Sequence, residues 1–103
     1  MKNNDDYIKV GDIIREQHLT PNKIKVAALA REINVSRILL DGVINNRFRL
    51  TTELAVKIGI ALDTSPIPWI EHQAQYEVEE LLKEDYDITP RFWEKEVNKN
   101  IKQ

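Results

Sequence analysis

The sequence predicts an all-α domain of five to six helices built on a helix-turn-helix, with a C-terminal helical extension. Three observations carry that expectation. Val26–Arg47 holds two short apolar periodicities, Leu29, Ala30, Ile33 and then Leu40, Val43, Ile44, on either side of a three-residue break at Asn34-Val35-Ser36. Two cap-then-proline signals, Ser65-Pro66 and Thr89-Pro90, announce later helices. No stretch alternates polar and apolar residues in the way a half-buried strand would.

The elements follow in order. Residues 1–7 are too polar for a signal peptide and read as a flexible arm before a domain at 8–84. Gly11–Leu19 reads as the first helix, with Ile13, Ile14 and His18 inward, ended by Thr20-Pro21-Asn22. After the connector Lys23-Ile24-Lys25 comes the second helix. Asn34, which enters the left-handed region cheaply, closes it. Ser36 is placed to cap the third helix by accepting from the Leu39 N–H, and Val35 to plug the turn. Such a short turn brings the two helices together as a helix-turn-helix pair, with Ser36–Asn45 as the recognition helix. Asn45–Leu50 forms a loop anchored by Phe48 or Leu50. Thr51 or Thr52 caps a fourth helix running to Leu62, with Gly59 marking close packing. Ser65 caps the fifth, Pro66 takes its first position, and it runs to about Lys83. In the tail, 85–103, Trp93, Val97 and Ile101 outline a sixth.

Composition narrows the functional classes. The 103 residues suit one domain, and the absence of cysteine excludes disulfides and thiolate metal sites. No apolar run is long enough to span a membrane, so a soluble cytoplasmic protein is expected. The net charge of −2 hides an asymmetry: residues 8–62 carry +4 and residues 63–103 carry −5. A basic part joined to an acidic part suggests two surfaces with different partners. Scattered glycines exclude a phosphate-cradling loop, and His18 and His72 lack metal-ligand spacing. Ser36 has no histidine nearby, and the Glu77-Glu79-Glu80 run reads as a solvated helix face. No enzyme, metal or cofactor is expected.

The outer surface of the recognition helix supplies the candidate DNA-binding residues. Ser36, Arg37, Ile38, Asp41 and Asn45 face outward, while Lys25, Arg47 and Arg49 lie where phosphates flank a groove. Asp41 accepts only from cytosine N4, Ile38 suits a thymine methyl, and Gly42 permits close approach. On the fifth helix Trp69, Gln73 and Tyr76 form one stripe, and Ile70, Ala74, Leu81 and Leu82 extend the apolar side. These seven are the expected homodimer seam, since a DNA-reading helix pair usually works by two-fold symmetry.

Gly11-Asp12-Ile13-Ile14-Arg15-Glu16, Ala28-Leu29-Ala30, Asn34-Val35-Ser36-Arg37, Asn45, Ala61-Leu62, Thr64-Ser65-Pro66, Trp69 and Gln73-Ala74-Gln75-Tyr76 together resemble HigA-type antitoxins. These are lambda-repressor-like (Xre/Cro) helix-turn-helix proteins of type II toxin–antitoxin systems, and the resemblance covers roughly Val10–Leu82. It implies a homodimer that represses its own operon at palindromic double-stranded operator DNA and neutralises a HigB/RelE-like mRNA-cleaving toxin. A stand-alone Xre-type regulator, or an interaction module without DNA binding, shares the same residues. The chain departs from the family where Ile38-Leu39-Leu40-Asp41-Gly42 replaces Pro-Thr-Leu-Ser-Arg. Asn46 and Asp63 also stand where glycine is usual.

Overall fold

A computed structural model describes residues 8–92. Among them are five α-helices and no strand: α1 Val10–Ile14, α2 Val26–Glu32, α3 Arg37–Ile44, α4 Thr52–Leu62 and α5 Ile67–Leu81. Helix α1 continues without a break into a π-helical turn, Arg15–Leu19. Ile14 and Leu19, five residues apart, are both buried. In an α-helix they would point about 140° apart. The wider π turn brings Leu19 round to the core, and the Thr20 N–H bonds the Arg15 carbonyl at 2.8 Å.

Four of the turns close the same way without glycine. Lys23, Asn34, Asn46 and Asp63 all have φ near +60°. After α2, Val35 N donates to Ala30 O (3.0 Å) and Asn34 N to Arg31 O (3.3 Å), the bond pair of a Schellman motif. Arg47 N to Gly42 O and Asn46 N to Val43 O close α3, and Thr64 N to Gly59 O with Asp63 N to Ile60 O close α4. The Asn34 expectation thus holds, and the two positions where glycine is usual are left-handed. Asp63→Gly is expected to raise stability by about 0.5–1 kcal/mol, because a side chain in this region costs more than the extra chain entropy of glycine. A higher melting temperature would bear that out; a lower one would show that the Asp63 side chain itself holds the turn.

The end of α3 is knotted to the start of α1. Asn46 Oδ1 accepts from Gly11 N (2.9 Å) while its Nδ2 donates to Asp12 Oδ1 (3.0 Å). Arg15 donates to the same Asp12 oxygen (2.7 Å) and to the Ile44 carbonyl (3.0 Å). A Cβ on Gly11 would lie 2.4 Å from Ile44 O and 2.6 Å from Val43 O, so only glycine lets the helices meet. Burial alone would push the Asp12 carboxyl up. Hydrogen bonds from Arg15, Asn46 and the Lys9 backbone, with the charge of Arg15, outweigh it and hold the group below its ordinary value. A carboxyl lowered by folding stabilises the fold above its unfolded value near 4, and that contribution fades as pH falls through the native value. Asp12→Asn should therefore cost about 1 kcal/mol near neutrality. The gap to the unaltered protein should begin to narrow in melts taken below about pH 4 and go on shrinking as pH falls further; a gap independent of pH would contradict this.

Helix α5 packs its Trp69–Gln73 side inward. Trp69, 3% exposed, meets His18 edge to face at 5.6 Å between ring centres. Gln73 is 7% exposed and clamps the backbone of Leu50. Its Oε1 accepts from Leu50 N and its Nε2 donates to Leu50 O, each at 2.8 Å. Leu50, fully buried, is the loop anchor rather than Phe48. The helix starts one residue later than expected, at Ile67, with Pro66 at the cap position and Ser65 Oγ accepting from Ile67 N. Thr89–Phe92 is exposed and non-helical. The helix start expected at Thr89-Pro90 is therefore not formed there, and the expected arm at 1–7 and the Trp93, Val97 and Ile101 stripe lie outside the described residues.

Candidate nucleic-acid interface

The third helix presents an outer surface as expected. Ser36 caps it, its Oγ accepting from Leu39 N at 3.2 Å. Leu40, Val43 and Ile44 turn inward, which leaves Ser36, Arg37, Ile38 (78% exposed), Leu39 and Asn45 in solvent and Asp41 half-buried. Lys25, before α2, and Arg47 and Arg49, in the loop after α3, are exposed as well.

Several of these groups are already engaged. Arg37 Nε lies 3.4 Å from Asp41 Oδ2, one turn apart on the exposed helix, a pairing worth about 0.3–0.5 kcal/mol. Asn45 folds its amide back onto the Asp41 carbonyl (2.9 Å) instead of reaching outward. Arg49 is held by Glu77 on α5, Nε to Oε2 at 2.6 Å and Nη2 to Oε1 at 3.2 Å, so the expected phosphate ligand is tied to the body. Arg47 has no ion pair among the described residues. Gly42 does not face outward. A Cβ there would meet the Phe48 ring at 2.1 Å, so the missing side chain makes room for Phe48 rather than for a ligand.

The expected seam on α5 needs correction. Trp69 and Gln73 lie in the chain's own core, and Tyr76 is half-buried beside Lys9, whose Nζ sits 5.6 Å from its ring centre. Ile70 is half-buried, and Ala74, Leu81 and Leu82 are exposed. The stripe continues through Ile67 and Val78, both exposed, which the sequence reading passed over. Ile67, Ile70, Ala74, Val78 and Leu81 step by three and four residues, a second apolar face turned away from the first.

Lys9 was also missed. It lines one cleft of about 190 Å³ together with Arg47, Arg49, Phe48, His72 and Tyr76, adding a cation beside the loop that follows α3. His72 bonds the Ile8 carbonyl at the rim of α1. Lys9, just before α1, carries no periodic or motif signal.

No protein-family model matches the chain. Over 72 residues it is 35% identical to an uncharacterised HTH-type transcriptional regulator of Haemophilus influenzae, which covers 70% of this chain and 67% of the relative. It is 34% identical over 71 residues to the Escherichia coli HTH-type regulator YbaQ, 69% of this chain and 63% of YbaQ. Among solved structures, the Pseudomonas aeruginosa antitoxin HigA with the higBA promoter superposes with a TM-score of 0.71 at 26% identity, over 82% of this chain and 97% of that one. With the helix order, the turn after α2 and the Trp69–Gln73 packing in place, the chain belongs to the HigA-type branch of the Xre-like helix-turn-helix regulators.

Proposed function

We propose that the chain is a DNA-binding autorepressor and antitoxin: a homodimer that places α3 in successive major grooves of a palindromic operator and neutralises a HigB-like mRNA-cleaving toxin. The observation that carries this reading is the exposed face of α3. It is flanked by Arg37 at its start and Arg47 beyond its end, on a fold shared with a HigA solved with its promoter. The helix N-terminus and flanking cations suit phosphates, while Ile38 offers a methyl contact rather than a hydrogen bond. Sequence preference then rests on thymine methyls and on duplex shape more than on polar readout.

Two-fold pairing is assigned to the outward stripe of α5. Ala74→Glu with Leu81→Glu places like charges across a symmetric seam and should give a helical monomer in sedimentation, with operator affinity lowered through the loss of joint binding. A helical, intact dimer would move the seam elsewhere. For the toxin, co-expression of the chain with the product of the neighbouring reading frame should restore growth to cells that the product alone arrests. Absence of rescue beside intact operator binding would mark a stand-alone regulator.

A further inference from the structure

The sequence shows two arginines in the loop after α3, and the structure leaves them in opposite states. Arg47 has no ion pair among the described residues, whereas Arg49 is gripped by Glu77 across 28 positions of sequence. The grip is built rather than incidental. Gln73, one turn before Glu77 on α5, fixes the backbone of Leu50, the neighbour of Arg49. Both ends of the pair therefore spring from pinned backbone. The carboxylate occupies the Nε/Nη2 edge of the guanidinium, the fork that binds an oxyanion with two parallel hydrogen bonds.

We propose that Glu77 sets the strength of DNA binding by acting as an internal stand-in for a phosphate, keeping Arg49 out of the DNA footprint. This rests on the DNA-binding reading above. A neutral pair releases no counterion, and its carboxylate repels any phosphate that approaches. The loop then offers the duplex one cation, Arg47, where composition alone counts two. Glu77 touches no DNA in this scheme; it acts through Arg49.

The test uses the full chain and a fluorescent duplex of the DNA directly upstream of its reading frame, titrated across a series of salt concentrations. Glu77→Gln, which keeps the size and removes the charge, should bind about three- to tenfold tighter near 50 mM salt, with the slope of log K against log salt steeper by about one unit. Arg49→Gln with Glu77→Gln replaces a neutral pair by a neutral pair and should return affinity and slope to those of the unaltered chain. Arg49 is exposed and Glu77 half-buried, so loss of the pair should move the melt only slightly, and the salt slope is a readout that a purely structural role would not move. Glu77→Gln binding no tighter than the unaltered chain overturns the proposal, as does a double variant as tight as the single one. If the unaltered chain binds with a slope that Arg37→Ala and Arg47→Ala reduce, yet Glu77→Gln gains nothing, the latch alone falls. If neither the unaltered chain nor Glu77→Gln binds the duplex, the DNA-binding reading falls with it.

Discussion

Replacing Arg37 and Arg47 together by alanine is expected to weaken operator binding by roughly ten- to a hundredfold at moderate salt and to flatten its salt slope by about two units. The two side chains bracket α3, and each released phosphate contact removes close to one counterion from the balance. Stability should hardly move. Arg47 has no ion pair among the described residues, and the Arg37–Asp41 pair is an exposed contact one helical turn long. Its loss costs a few tenths of a kcal/mol. Anisotropy titrations at several salt concentrations, beside a thermal melt, separate the two effects. An unchanged affinity and slope in a folded double variant would remove α3 from the groove and favour an interaction module.

Gln73→Leu should be the most destabilising single change on α5. Leucine nearly fills the volume, so the cost is not a cavity. It is the loss of both partners of a fully buried residue's backbone, since Leu50 N and Leu50 O bond only to the Gln73 amide among the contacts described. An unsatisfied buried group costs about 1–3 kcal/mol, so the pair amounts to roughly 3–5 kcal/mol. In a domain of this size that lowers the melting temperature by some 15–30 °C. A Gln73→Leu loss below about 1 kcal/mol would mean that water reaches Leu50 and replaces the clamp.

What could be read from the sequence was what local chemistry decides. The period of 3.6, the Ser36 cap and the left-handed Asn34 each depend on neighbours a few residues away, and the structure has all three. The π turn at Arg15–Leu19 had no such signal, because it forms to suit a core assembled from distant helices. Helix α5 was misjudged for another reason. It carries two apolar faces, and periodicity cannot say which of them meets the core: Trp69 and Gln73 turn inward, while Ile67 and Val78 share the outer face. Composition alone leaves Arg49 a free cation, because its partner Glu77 is 28 positions away in sequence. Gly42 looked like an opening for a ligand, when its space is taken by the Phe48 ring six residues on.

The segment that follows α3 is tethered on both sides: to α1 through Asn46 and Arg15, and to α5 through Gln73 and Glu77. A polypeptide fastened in this way has little freedom left to surrender when a ligand arrives. Calorimetry of operator association should therefore show a heat-capacity change set by the area covered at the interface, without the extra decrement that accompanies coupled ordering of a loop. Any adaptation between the two molecules then falls to the duplex. Operators rich in flexible pyrimidine–purine steps near their centre would be favoured over stiff ones of equal contact chemistry, because the nucleic acid alone has to bend.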